Sequence, residues 1–144
     1  MPGSPAEVMG AVREPFTKLY VHLVWATWDR EPLLVGEVEA VVYAGVRSKC
    51  CDLGCTLVAL GGMPDHIHLL LRFPSSISIA EAVKGIKGAS SHVATHGSLG
   101  ASFKWQGGYG AFTVAASGVA ACEAYINAQS ERHRSGTTDA DWEM

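Results

Sequence analysis

The sequence predicts an α+β protein in which one antiparallel sheet carries two helices on one face, with an extra helix at the C-terminus. Two observations predict this class. Apolar residues repeat at every second position in some short segments and at every third or fourth position in others, and these segments follow the order β-α-β-β-α-β. In addition, 48% of the 144 residues are hydrophobic and 17% are charged, which suits one domain with its own core.

The first half of the chain contains a predicted strand, a helix and a second strand. Residues 18–28 are rich in β-branched and aromatic side chains, which favour a strand. Residues 37–52 carry valines at helical spacing, and Gly54 is expected to end that helix. Residues 55–60 form a second apolar strand. Residues 61–65 combine glycine with proline, which predicts a turn.

The second half begins with a third strand over residues 66–73, which forms a hairpin with the second. Ser78 and Glu81 have the spacing of a capping box, in which a hydroxyl and a carboxylate bind the free amides at a helix start. The helix that follows is expected to fade near His96, where the chain becomes rich in glycine.

A fourth strand is predicted over residues 111–115, and Ser117 is expected to cap a last helix from residue 118 to about residue 132. Two split βαβ halves in this order give a ferredoxin-like (RRM-like) antiparallel sheet with both crossover helices on one face. The other face is therefore left for the last helix.

We expect a single domain over residues 17–133, preceded by a flexible arm (1–16) and followed by a flexible acidic tail (134–144). No apolar run approaches the ~20 residues of a membrane span. The first residues lack an apolar stretch of signal-peptide length, so the expected location is cytoplasmic, with no membrane partner.

The charge distribution says little about a partner. The net charge is −3, although residues 46–134 carry eight basic and five acidic side chains. This positive excess is weak evidence for nucleic-acid binding, because affinity depends on a local patch that faces phosphate.

The cysteines predict no disulfide framework. They do not form a CxxC pair, and we expect reduced thiols partly in the core. A zinc site is the alternative for three of them, Cys50, Cys51 and Cys55.

The segment His66-Ile67-His68 lies on the third predicted strand. Side chains alternate between the faces of a strand, so His66 and His68 project the same way and Ile67 projects oppositely. Two imidazoles in this position can jointly hold one cation, and Arg72 further along the same face suits a phosphate. The pattern alone is equally compatible with two histidines on a solvated sheet face.

Tyr125 and Gln129 lie on the last predicted helix, four residues apart and therefore on one face. A tyrosine phenol can act as a nucleophile toward phosphorus, and the amide oxygen of Gln129 can bind a metal. The alternative is a helix that packs a half-buried tyrosine.

Several ordered segments of the chain resemble the insertion-sequence-200-like single-tyrosine HUH transposase family, over about residues 17–133. The resemblance rests on Tyr125 with Gln129 and on the segments LYVHLVW (19–25), REPL (30–33), GGMPDHIHLLL (61–71), KGIKGASS (84–91) and WQGGYGAF (105–112).

This resemblance implies a DNA transposase that cuts and rejoins single-stranded DNA, including the hairpin ends of an insertion sequence. It implies a divalent metal ion, Mg²⁺ or Mn²⁺, held by His66, His68 and Gln129. It implies that Tyr125 attacks a DNA phosphate and leaves a 5′-phosphotyrosine and a free 3′-hydroxyl. It also implies a homodimer that exchanges its last helices, so that Tyr125 of one chain serves the histidines of the other.

Further DNA contacts are expected from four basic residues and one histidine, each with a plain solvated or structural alternative: Arg72, Lys84, Lys87, Lys104 and His22. Two other functions stay open at this point. One is a metal hydrolase that activates water with His66 and His68. The other is a non-catalytic nucleic-acid-binding module, although such modules stack bases on aromatic residues where this chain has histidines.

Overall fold

The computed structural model describes residues 16–129. Its helices and strands are β1 (Leu19–Ala26), α1 (Gly36–Asp52), β2 (Thr56–Met63), β3 (His66–Phe73), α2 (Ile79–His96), β4 (Gly110–Val114) and α3 (Val119–Asn127). The element order is the predicted one. The last helix was predicted to reach about residue 132, but α3 ends at Asn127. The predicted acidic tail, the arm except for Phe16, and residues 130–132 lie outside the described residues.

The four strands form one sheet in the order β2-β3-β1-β4, and every neighbouring pair is antiparallel. β3 and β1 are therefore the central strands, as the ferredoxin-like prediction requires. Their register places Val24 opposite His68 and Ala26 opposite His66. This pairing fixes which residues of β1 lie beside the two histidines.

The two faces of the sheet are buried by different helices. On one face, Leu23, Trp25 and Ile67 belong to a core that also includes α1 and α2 residues such as Val46 and Ile86. On the other face, α3 packs against β2 and β3 and forms a smaller cluster, which consists of Ala59, Leu70, Cys122, Tyr125 and Ile126. Each large apolar side chain buried in this way contributes roughly 1.5–3 kcal/mol.

The second strand runs three residues further than predicted. Gly61 and Gly62 were expected in a turn, but they pair with His68 and Ile67, and β2 ends at Met63. A Cβ atom at Gly61 would lie 2.6 Å from the backbone oxygen of Ile126, and one at Gly62 would lie 2.3 Å from that of His66. These glycines therefore serve close backbone approach, which is the other common use of glycine in a strand.

The two helix starts predicted from serine residues differ in outcome. The Ser78 hydroxyl accepts a hydrogen bond from the Glu81 amide, so the capping box at the start of α2 is confirmed. The cap predicted at Ser117 is wrong, because this residue lies in a 3₁₀ turn and α3 begins after it without a side-chain cap. Among residues 16–129, no helix is long and apolar enough to cross a membrane.

Candidate active site

His66 and His68 lie side by side on β3, on the face that α3 covers. Their ring centroids are 5.1 Å apart with an interplanar angle of 72°. Only 2% of His66 and 0% of His68 is exposed. The solvated-face interpretation of the two histidines is therefore wrong, because the last helix buries them.

Each of these imidazoles is oriented through its Nδ1 atom. His66 Nδ1 donates to Asp65 Oδ1 at 2.8 Å, and Arg30 Nε lies 3.4 Å from the other oxygen of that carboxylate. His68 Nδ1 lies 2.9 Å from His22 Nε2. Because Nδ1 makes these contacts, Nε2 is the atom of each ring that can bind a cation. A histidine ligand is commonly fixed in this way by a partner on its second nitrogen.

Tyr125 lies on α3 with its ring against His68. The two ring centroids are 5.9 Å apart, the rings are nearly perpendicular, and Tyr125 is 2% exposed. Gln129 follows the end of α3 and is 1% exposed. The structure thus brings His66, His68 and Tyr125 of the same chain together, and it buries Gln129 just beyond the same helix.

The donor set at this site fits a divalent metal ion. Two imidazoles suit Mn²⁺ and the later transition metals, whereas an amide oxygen suits Mg²⁺ and Mn²⁺. Within residues 16–129, no three His, Cys, Asp or Glu side chains are grouped so as to hold a metal. A metal held by His66 and His68 would need further oxygen ligands, and the buried Gln129 carries an amide oxygen of the kind that the sequence predicted for this role.

The cysteines do not form a comparable site. Cys50 and Cys55 are buried neighbours and Cys51 is exposed, and the three do not form a metal-holding group within residues 16–129. Burial raises the pKa of the Cys50 thiol to about 12, and the neighbouring Cys55 contributes a smaller part of this rise. Burial raises the pKa of Cys122 to about 11. Such thiols are unreactive, since the thiolate is the form that binds metals and attacks electrophiles.

His22 was predicted to line a DNA site, and the structure places it beside the histidine pair. Its side chain is fully buried on β1, stacked on His68 with ring centroids 5.1 Å apart. Phe112 on β4 lies against its other side at 5.9 Å. His22 therefore contacts His68 directly, through both the stacked rings and the Nε2–Nδ1 approach.

Two of the predicted DNA contacts lie away from the histidine pair. Arg72 donates to the Thr17 carbonyl at the far end of β3. It follows His66 by six residues, which corresponds to about 20 Å of extended strand. Lys84 is exposed beside Lys49 in a groove between α1 and α2, on the opposite side of the sheet from His66 and His68.

The other two basic residues lie near the glycine-rich loop. Lys87 donates to the carbonyls of Gln106 and Gly108 at 2.7 and 2.8 Å, and burial lowers its pKa. The Lys87 ammonium therefore holds the glycine-rich loop against α2 through these two hydrogen bonds. Lys104 is exposed, with its ammonium 3.9 Å from the ring centroid of Trp28.

Sequence comparison identifies a family for the chain. Residues 15–129 match the family described as Transposase IS200 like. A curated relative, the ISDra2 transposase TnpA of Deinococcus radiodurans, is 37% identical over 73 residues, which cover 51% of this chain and 52% of the relative. That match thus spans about half the length of the relative.

Two solved structures have a similar fold. One is a crystal structure described as a transposase from Deinococcus radiodurans, with a TM-score of 0.65 and 30% identity over 88% of this chain and 95% of that one. The other is a REP-associated tyrosine transposase bound to a REP hairpin, with a TM-score of 0.64 and 15% identity over 88% of this chain and 74% of that one. At such low identity the second likeness concerns the fold alone.

Proposed function

This chain belongs to the IS200-like transposase family, and we propose that it cuts and rejoins single-stranded DNA with Tyr125 as the nucleophile and Mg²⁺ or Mn²⁺ as the cofactor. The observation that carries the proposal is the buried contact between the Tyr125 and His68 rings, 5.9 Å apart. This contact brings the histidine pair and Tyr125 together. The proposed chemistry depends on both, and they lie in separate parts of the sequence.

His66 and His68 would hold the metal through their Nε2 atoms, because Nδ1 of each ring is engaged elsewhere, and Gln129 would offer its amide oxygen. When bound, a divalent metal ion supplies Lewis-acid chemistry at the scissile phosphate, where it takes up charge from the oxygens. Asp65 and His22 are positioning residues in this scheme. Each engages the Nδ1 atom of one ligand histidine and so directs Nε2 of that ring to the metal.

The phenol oxygen of Tyr125 forms a bond to phosphorus, and the bond from phosphorus to the 3′-oxygen breaks. The phenol loses its proton, the leaving oxygen gains one, and the products are a 5′-phosphotyrosine and a 3′-hydroxyl. Because the phosphodiester energy is kept in the tyrosine link, attack by another 3′-hydroxyl reverses the step and joins two strands.

The proposed partner is single-stranded DNA, including hairpins at the ends of an insertion sequence. The REP-associated relative is bound to a hairpin, which supports a partner of this kind. The proposed assembly is a homodimer that exchanges α3. In a single chain, α3 packs on its own sheet, and the same face would accept the α3 of a partner chain after movement of the turn Ala116–Gly118.

The test of the proposed function is a search for a covalent adduct. Labelled single-stranded DNA from the sequence that flanks the gene is incubated with the protein and Mn²⁺, and the products are separated on a denaturing gel. Wild type is expected to give a band of protein linked to DNA, and Tyr125→Phe is expected to give none.

The two rival functions give different results in the same assay. Cleavage by Tyr125→Phe without an adduct would indicate a hydrolase that activates water. Binding without cleavage by wild type, under each divalent metal tried, would indicate a non-catalytic binding module.

A further inference from the structure

Trp28 is an exposed aromatic residue held beside a lysine just after β1. It is 45% exposed, and the Lys104 ammonium lies 3.9 Å from the centroid of its ring. A cation at this distance from an indole face is attracted by the ring quadrupole. The lysine thus holds the indole in place, and the accessible part of the ring stays open to a ligand.

The backbone around Trp28 is fixed from several sides. The Trp28 amide donates to the Lys104 carbonyl at 3.0 Å, and the Asp29 amide donates to the Gln106 side-chain oxygen at 2.9 Å. Asp29 and Arg30 both have a φ of 53°, in the left-handed region that side chains other than glycine seldom adopt. Backbone of this kind persists only where its surroundings enforce it, and it is concentrated at functional sites.

This pair lies next to the predicted metal ligands. The Thr27 amide, one residue before Trp28, donates to the Asp65 carbonyl at 3.0 Å, and the Asp65 side chain contacts His66 at 2.8 Å. The register also places Ala26, the last residue of β1, opposite His66. A DNA strand held at His66 therefore passes close to Trp28.

Three carboxylates outnumber the two cations, Arg30 and Lys104, around Trp28, and this favours contact with a base over contact with phosphate. Asp29 and Glu31 are exposed in the same loop and repel a phosphate, while Arg30 is partly neutralised by Asp65 at 3.4 Å. An aromatic ring is insensitive to these charges when it stacks on a nucleobase, and stacking of this kind is how proteins bind unpaired strands.

We propose that Trp28, held by Lys104, is a stacking site for an unpaired base of the DNA strand, next to the scissile phosphate at the proposed metal site of His66 and His68. This inference rests on the proposed function for its ligand. It goes beyond the metal site by assigning a base-binding residue that lies outside both β3 and α3.

The chain offers a matched control for the test. Phe16 precedes β1, at the opposite end of the same strand, is 46% exposed, and has the Lys18 ammonium 5.9 Å from its ring centroid. Affinity for a labelled oligothymidine strand is measured by fluorescence anisotropy without divalent metal. Trp28→Ala is expected to weaken binding about tenfold, within the range for one base stacked on an aromatic ring. Trp28→Phe is expected to keep most of the affinity, and Phe16→Ala to leave it unchanged.

Abasic substitutions along the flanking DNA strand then locate the stacked base. One abasic position is expected to weaken wild type and to have no further effect on Trp28→Ala. The stacking site is overturned if the Trp28→Ala protein binds DNA as tightly as wild type, or if its affinity falls no more than that of the Phe16→Ala protein. The proposed function would stand in either case. If wild type binds no single-stranded DNA, both are overturned.

Discussion

His22 Nε2 lies 2.9 Å from His68 Nδ1, and both side chains are fully buried. The contact joins neighbouring central strands, so the sheet itself holds the two rings in place. If His68 binds a metal through Nε2, its Nδ1 carries the proton and donates a hydrogen bond to His22 Nε2. The orientation of His68 thus depends on a residue 46 positions earlier in the chain.

His22→Phe is therefore expected to weaken Mn²⁺ binding by about 10- to 100-fold, the usual effect of losing a partner of a metal ligand. His22→Gln retains a polar acceptor and is expected to recover part of the loss. Titration calorimetry measures the affinity. Phe112→Leu is the control, because it changes the packing against His22 and leaves the hydrogen bond intact. An equal loss in that variant would show that packing, not the hydrogen bond, is responsible.

His68→Ala tests the ligand itself. It also tests the packing under α3, because His68 is fully buried and its ring contacts Tyr125. Its loss opens a cavity and deprives His22 of its partner, so we expect the free energy of unfolding to fall by about 1–3 kcal/mol. Urea denaturation measures this. Undiminished Mn²⁺ affinity in folded His68→Ala and His66→Ala would exclude these residues as ligands.

The residues of β3 show what could be predicted from the sequence. Their strict alternation reveals a strand with His66 and His68 on one face, since the period of a strand is local information. The partner of His68 could not be predicted in this way, because the register of β1 against β3 joins distant residues. Gly61 and Gly62 were misassigned for a related reason. Glycine serves both turns and close packing, and only the neighbouring backbone, that of α3 at Gly61 and that of β3 at Gly62, distinguishes the two.

Lys84 and Lys87 both lie on α2. We expect Lys87 to stabilise the fold and the exposed Lys84 to have no structural role. Lys87 donates to two carbonyls of the glycine-rich loop. Lys87→Met is expected to lower the free energy of unfolding by about 1–2 kcal/mol, as for the loss of hydrogen bonds from a charged donor. Lys84→Met, at an exposed position, is expected to change it by less than about 0.5 kcal/mol. A drop in DNA affinity in Lys87→Met with unchanged stability would instead indicate a phosphate contact.

The cysteines should differ in reactivity. Burial holds the pKa of Cys50 at about 12 and that of Cys122 at about 11, whereas Cys51 is exposed. Iodoacetamide is therefore expected to modify Cys51 first in the native protein and to reach the buried thiols only after urea is added. Mass spectrometry of tryptic peptides checks the order. Native modification of Cys50 as fast as that of Cys51 would contradict the packing of α1.

The last prediction concerns Tyr125 and the proposed exchange of α3 between subunits. Tyr125→Phe and His66→Ala chains are each expected to be inactive, because each lacks one essential group. When the two are mixed, unfolded and refolded together, an exchanged heterodimer has one site with Tyr125 of one chain and His66 of the other. Random pairing then restores about a quarter of wild-type cleavage, since half the dimers are mixed and each has one whole site.

Sites built within one chain behave differently in this experiment. Each chain of the mixed dimer would carry its own defect, and mixing would restore no cleavage. That result would contradict the exchange and leave Tyr125 acting beside His68 of its own chain, where the 5.9 Å ring contact already places it. A chain that carries both substitutions is the control. Mixed with wild type, it contributes no whole site of its own in either arrangement, so any activity it adds would reveal contamination.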